Sequence, residues 1–140
     1  MIRRPPRSTP SNSSAASDVY KRQQALNALA ATVYMALLGK KGIQEVANLC
    51  IQNSHYLAEK IDSLKGYELA FNAPFFKEFV VKTPLPPQQI IDRLVNKNIF
   101  PGIDLSKFDC GLDNGLLIAV TEKRTREEMD LFAQLLTEFV

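Results

Sequence analysis

The sequence is short of the residues that build most reaction centres. It has one histidine, His55, and two cysteines, Cys50 and Cys110, which form no CxxC pair. A metal site needs several ligands at suitable spacing, and none converge on His55 in the sequence. His55 therefore reads as a surface or half-buried helix residue. Two lone thiols exclude a disulfide framework, fit a reducing compartment and read as buried side chains. No GxGxxG and no P-loop occurs, so no phosphate cradle is written into the chain. No serine or cysteine has the local signature of a nucleophile. No apolar run approaches the about 20 residues that a membrane span needs.

What is present divides at Gln24. Met1 to Thr9 (MIRRPPRST) and Ser13 to Gln23 (SSAASDVYKRQ) read as translated sequencing adapter and transposon end, in one frame with a barcode-sized gap between them. Residues 1–23 are therefore expected to be non-native, and residues 24–140 to be the C-terminal piece of a longer protein. The charge balance changes with that reading. The chain has 17 Lys+Arg against 15 Asp+Glu; setting aside Arg3, Arg4, Arg7, Lys21, Arg22 and Asp18 leaves 12 against 14, a net charge of −2. The basic arm that would suggest nucleic acid disappears. The remaining 117 residues suit one domain with a single core.

Gln24 to Leu38 is rich in Ala and Leu and predicts a helix, apolar on most sides and so expected to be buried. Gly39 ends it, with Lys40 to Gly42 as a turn. Ile43 to Leu64 predicts an amphipathic helix whose inward side is Ile43, Val46, Ala47, Leu49, Cys50, Leu57, Ala58, Ile61 and Leu64. Strands are expected at Tyr67 to Phe71 and Glu78 to Lys82. Pro86 and Pro87 suit entry to a helix over Gln88 to Lys97, with Ile90, Ile91, Leu94 and Val95 inward. Ile99 to Leu105 is extended around a Pro-Gly turn, and Leu116 to Thr121 is apolar enough for a central strand. TREE at Thr125 to Glu128 matches a capping box opening the last helix. Its apolar side would be Met129, Leu131, Phe132, Leu135, Leu136 and Phe139. The order α-α-β-β-α-β-β-α predicts an α+β (α/β) layer, a small sheet backed by helices.

Two segments stand out chemically. Thr121 to Thr125 (TEKRT) joins the strongest strand to the last helix, where backbone N–H groups can meet an anion and Lys123 and Arg124 add positive charge. Asn72 to Phe79 (NAPFFKEF) sets three aromatics beside a Lys-Glu pair, readable as a docking edge or as core packing around a hairpin turn.

QALNALAATVYMALLGKKG, FNAPFFKEFVVK and LLIAVTEKRTREEMD resemble the C-terminal part of subunit 1 of glycine dehydrogenase (decarboxylating), the P-protein of the glycine cleavage system. The resemblance covers essentially all of residues 24–140. It implies the small C-terminal domain of a pyridoxal-phosphate fold type I enzyme. It implies a reaction in which the cofactor acts as electron sink, glycine loses its carboxylate as CO2, and the aminomethyl group passes to the lipoyl arm of H-protein. It places the Schiff-base lysine on the partner, subunit 2, so no residue here is assigned as catalytic or as binding the cofactor covalently. It implies a heterotetrameric cytoplasmic assembly with subunit 2 and lipoylated H-protein as partners, and no nucleic acid or membrane. Lys123 and Arg124 become the candidates for contact with a carboxylate or with the lipoyl-bearing partner. The fragment alone is expected to be inactive, with the apolar helix Gln24 to Leu38 a solubility liability. The competing readings are the small domain of another fold type I enzyme, an aminotransferase or cysteine desulfurase, and a non-catalytic α+β interaction module.

Overall fold

The computed structural model describes residues 12–139, with side chains from Gln24 onward. Of the expected adapter, residues 1–11 lie outside them, and residues 12–23 are described by their helical backbone alone. The chain divides into two compact units, Met1–Ile43 and Gln44–Val140.

The first helical run, α1, is assigned over Asn12–Asp62. Gly39 breaks it, with φ 62° and ψ −176°, a conformation that glycine adopts without a Cβ penalty. The break falls where the sequence places it, but Lys40 to Gly42 is helical rather than a turn. The apolar stretch before Gly39 is helical as expected and not buried: Leu26, Leu29, Val33, Met35 and Leu37 are all exposed. Propensity forms this helix, but propensity supplies no cover for its apolar faces.

In the second unit, four strands form one antiparallel sheet in the order β1-β2-β4-β3. They are β1 Glu68–Leu69, β2 Glu78–Lys82, β3 Ile103–Asp104 and β4 Gly115–Ala119. The outer strands are two residues long, shorter than the Tyr67 to Phe71 and Ile99 to Leu105 segments from which they come. β4 is central, as its apolar composition requires. The register sets Phe79 opposite Ile118 and Val81 opposite Leu116. All four side chains are buried on one face, and the alternation of the strand delivers them there.

Helices cover that face. The second half of α1 contributes Leu57, Ala58 and Ile61; α2 (Pro87–Val95) contributes Ile90, Ile91 and Leu94; α3 (Arg126–Leu136) contributes Met129, Phe132, Ala133 and Leu136. Each fully buried Ile or Leu among them is worth about 1.5–3 kcal/mol relative to exposure. Pro87 opens α2 at a position whose N–H has no helical partner in any case. Asn98, with φ 61°, closes the helix: Ile99 N–H donates to Leu94 O at 3.0 Å.

The edges of the expected apolar stripes are corrected. Ile43, Leu49, Val95 and Leu131 are exposed. Cys110 is also exposed, whereas Cys50 is buried; both are free thiols. Cys110 lies in the loop that reverses at Gly111, φ 70°, where no element covers it.

Candidate functional site

The inward stripe of α1 is polar at one turn. Steps of three and four residues from Cys50 reach Asn53 and Ser54 before Leu57 and Ala58, and both polar residues are buried. A buried amide or hydroxyl must find partners. Asn53 spends both amide hydrogens: Nδ2 donates to Thr121 O at 3.2 Å and to Arg124 O at 3.1 Å. Ser54 Oγ donates to Phe76 O at 2.7 Å, with Ile51 O at 3.0 Å. His55 Nε2 meets Phe75 O at 3.1 Å, so the ring carries its proton there as a donor. Cys50 Sγ lies 3.4 Å from a carboxylate oxygen of Glu122. The turn Cys50 to His55 thus holds both segments that the sequence singles out. Those segments are also joined to each other, since Val120 N–H donates to Lys77 O at 2.9 Å.

In Thr121 to Thr125 the chain turns tightly, with Arg124 N–H donating to Thr121 O at 3.2 Å. Thr125 then caps α3. Its Oγ1 accepts from Glu128 N–H at 3.2 Å, and the Glu128 carboxylate accepts from Thr125 N–H at 3.0 Å. This is the expected capping box. It also changes the anion argument. The backbone amide of Glu127 and the Thr125 hydroxyl hydrogen-bond the Glu127 carboxyl and hold it below its ordinary range. The first turn of α3 is therefore served by its own acids, and the guanidinium of Arg124 remains as the cationic donor beside it.

Arg124 and Glu128 line a cleft of about 520 Å³, with Ile99, Phe100, Ala119 and Phe132 among its walls. The Arg124 and Glu128 side chains approach to 3.7 Å and are each about half exposed. Lys123 is exposed on the same loop and does not line the cleft. The structure therefore separates the two candidates: one at the cleft, one beside it.

In Asn72 to Phe79 the core-packing reading describes Phe75 and Phe79, whose ring centroids lie 5.3 Å apart. Phe76 stays exposed. Among the described residues no group of three His, Cys, Asp or Glu side chains could hold a metal ion.

A cluster that sequence reasoning missed joins α1 to α3. Lys60 Nζ and Tyr56 OH both donate to Asp130 Oδ1, and the Arg126 guanidinium lies 3.8 Å from the centre of the Tyr56 ring. The hydrogen bond from Lys60, then that from Tyr56, holds the Asp130 carboxyl below its usual range. The bond to Asp130, then that to Tyr56, raises Lys60. Tyr56 with Lys60, and Arg126 with Asp130, are each four residues apart on one helix, but some 70 residues separate the two pairs, and no local pattern joins them.

A resident pyridoxal phosphate needs a lysine able to shed its proton and a cradle for the phosphate. Lys60 is pushed the other way. Lys82 and Lys97 are paired with Glu68 and Glu138. The first turn of α3 is acidic. Lys60, Lys82 and Lys97, each held by a carboxylate, do not fit the cofactor.

The fold is that of the small C-terminal domain of pyridoxal-phosphate fold type I enzymes. It superposes on the crystal structure of glycine decarboxylase (P-protein) of the glycine cleavage system, in inhibitor-bound form, with a TM-score of 0.68 at 24% identity over 77% of this chain and 24% of that one. A phosphoserine aminotransferase from Cytophaga hutchinsonii gives 0.57 at 17% identity, over 78% of this chain and 29% of that one. The chain belongs to the glycine cleavage system P-protein family, whose model matches residues 12–136. It is 56% identical over 109 residues to a probable glycine dehydrogenase (decarboxylating) subunit 1 of Chlorobaculum parvum, covering 78% of this chain and 24% of the relative. The corresponding protein of Chlorobium limicola is 57% identical over 113 residues, 81% and 25%. These matches bear out the resemblance and favour it over the aminotransferase, desulfurase and interaction-module readings. The chain spans about a quarter of the length of these relatives.

Proposed function

We propose that this chain is the C-terminal part of the lysine-less subunit of a cytoplasmic two-chain glycine decarboxylase. With its partner, subunit 2, the whole enzyme decarboxylates glycine and transfers the aminomethyl group to the lipoyl arm of H-protein. Pyridoxal phosphate supplies the electron sink from the partner, which carries the Schiff-base lysine. The single observation that supports this best is the family match across the domain. Within the domain, Arg124 at the cleft, with Lys123 beside it, contacts the glycine carboxylate or the H-protein. A guanidinium gives a carboxylate two parallel hydrogen bonds, and Arg124 is half exposed to offer them.

The test is reconstitution of the full-length subunit with subunit 2, pyridoxal phosphate and lipoylated H-protein, reading glycine-dependent CO2 release. Activity should require both subunits, and residues 24–140 alone should give none. Release of CO2 by the fragment by itself, or by the full-length subunit without its partner, would overturn the assignment. Arg124→Ala should raise the KM for either glycine or H-protein by about tenfold. Lys123→Ala should have the smaller effect.

A further inference from the structure

Asn53 is a polar residue on an apolar stripe, 8% exposed, and neither of its amide hydrogens serves its own helix. Both go to carbonyl oxygens at the two ends of one tight turn, Thr121 and Arg124. The turn is closed by Arg124 N–H on Thr121 O, so Asn53 grips it from outside at the same two residues. Three residues earlier on the helix, Cys50 meets Glu122 within that turn. The loop leaves the central strand β4 and enters α3, and Arg124 is its last residue before the Thr125 cap. A side chain at the lip of a cleft is only as well placed as its backbone, and here the backbone is fixed by an amide some 70 residues away in sequence. Hydrophobic packing at the same spot would fill the volume equally well, so an amide there needs a reason beyond burial.

We infer that Asn53 is the positioning residue for Arg124, holding the β4–α3 loop so that the guanidinium sits at the cleft. The inference rests on the reading of Arg124 as a contact residue. Asn53 itself touches no substrate. Loss of its two donors leaves the Thr121 and Arg124 carbonyls without that partner and lets the loop move, which weakens whatever Arg124 binds.

The experiment is a double-mutant cycle in the reconstituted two-subunit enzyme. Asn53→Asp keeps the shape and removes the donors; Asn53→Ala is the second variant should the aspartate prevent folding. Each is combined with Arg124→Ala, and KM for glycine, KM for H-protein, kcat and melting temperature are measured. Positioning predicts that the Asn53 variant raises the same KM that Arg124→Ala raises, by roughly fivefold, and that the double variant is no worse than Arg124→Ala alone. Two independent effects that multiply overturn the inference and leave Arg124 as a contact. A lowered melting temperature with both KM values unchanged does the same. If Arg124→Ala changes neither KM, the contact reading falls and the positioning role falls with it.

Discussion

The ring of Phe75 lies flat on the imidazole of His55, centroids 4.2 Å apart and planes 9° from parallel, while the Phe75 carbonyl meets His55 Nε2. One residue of the loop is thus held by backbone and side chain together. The stack and the hydrogen bond share one orientation of the imidazole. His55→Ala and Phe75→Ala in a denaturant double-mutant cycle should show a coupling of about 1 kcal/mol. Strict additivity would remove the stack from the account of this loop.

Gly102 and Gly39 both have positive φ, 150° and 62°, yet substitution should separate them sharply. A Cβ at Gly102 would run into the Leu117 carbonyl oxygen, where β3 closes on β4; nothing lies within 4 Å of one at Gly39. Gly102→Ala should cost more than about 3 kcal/mol, the clash adding to the conformation, and Gly39→Ala about 1–3 kcal/mol, the cost of the conformation alone. Equal losses of stability in urea would contradict this.

Thr125→Ala removes one half of the capping box and leaves Glu128 N–H without its acceptor. The expected loss is about 1 kcal/mol. Thr125→Ser keeps the hydroxyl and should recover most of it. A serine variant as unstable as the alanine variant would place the effect in the methyl group instead.

Burial pushes the Tyr67 phenol up to about 12, and its hydroxyl donates to Leu136 O at 3.0 Å. The unfolded phenol titrates near 10. A raised folded value means that stability is fully present below pH 10 and is lost as pH rises from there toward 12. Tyr67→Phe should be less stable at neutral pH by about 1 kcal/mol and should lose less on going to pH 12. Identical alkaline profiles for the two proteins would falsify the assignment of that loss to Tyr67.

Much of the domain is legible in the chain. The Thr125 cap, the central strand and the helix opened by Pro87 announce themselves through local rules: a hydroxyl three residues before a glutamate, an unbroken apolar run, a proline where no N–H is needed. What periodicity cannot supply is the width of a buried stripe. Leu49, Val95 and Leu131 have the right spacing and remain exposed, because burial depends on tertiary neighbours that spacing does not name. Cys110 fails for a related reason: composition favours burial of a thiol, but its loop has nothing above it. Arg124 could be singled out by its charge and its place after a strand. Its separation from Lys123, one at the cleft and one beside it, is set by the turn. Asn53 leaves a trace in the sequence: two polar residues, Asn53 and Ser54, stand at the inward steps between Cys50 and Leu57. Polar groups on an apolar stripe announce tertiary hydrogen bonds without saying where the partners are.

The two outer strands, β1 and β3, have a consequence for how the domain meets other molecules. Each offers only two residues of ladder. β1 carries Glu68, paired with Lys82 of its neighbour. The Asp104 carboxylate of β3 is turned to the backbone and hydroxyl of Ser106. A foreign strand arriving at either margin finds only a two-residue template, which disfavours growth of the sheet from chain to chain. What this domain offers a partner is therefore mainly faces and loops, where side chains choose, rather than a backbone that would accept any.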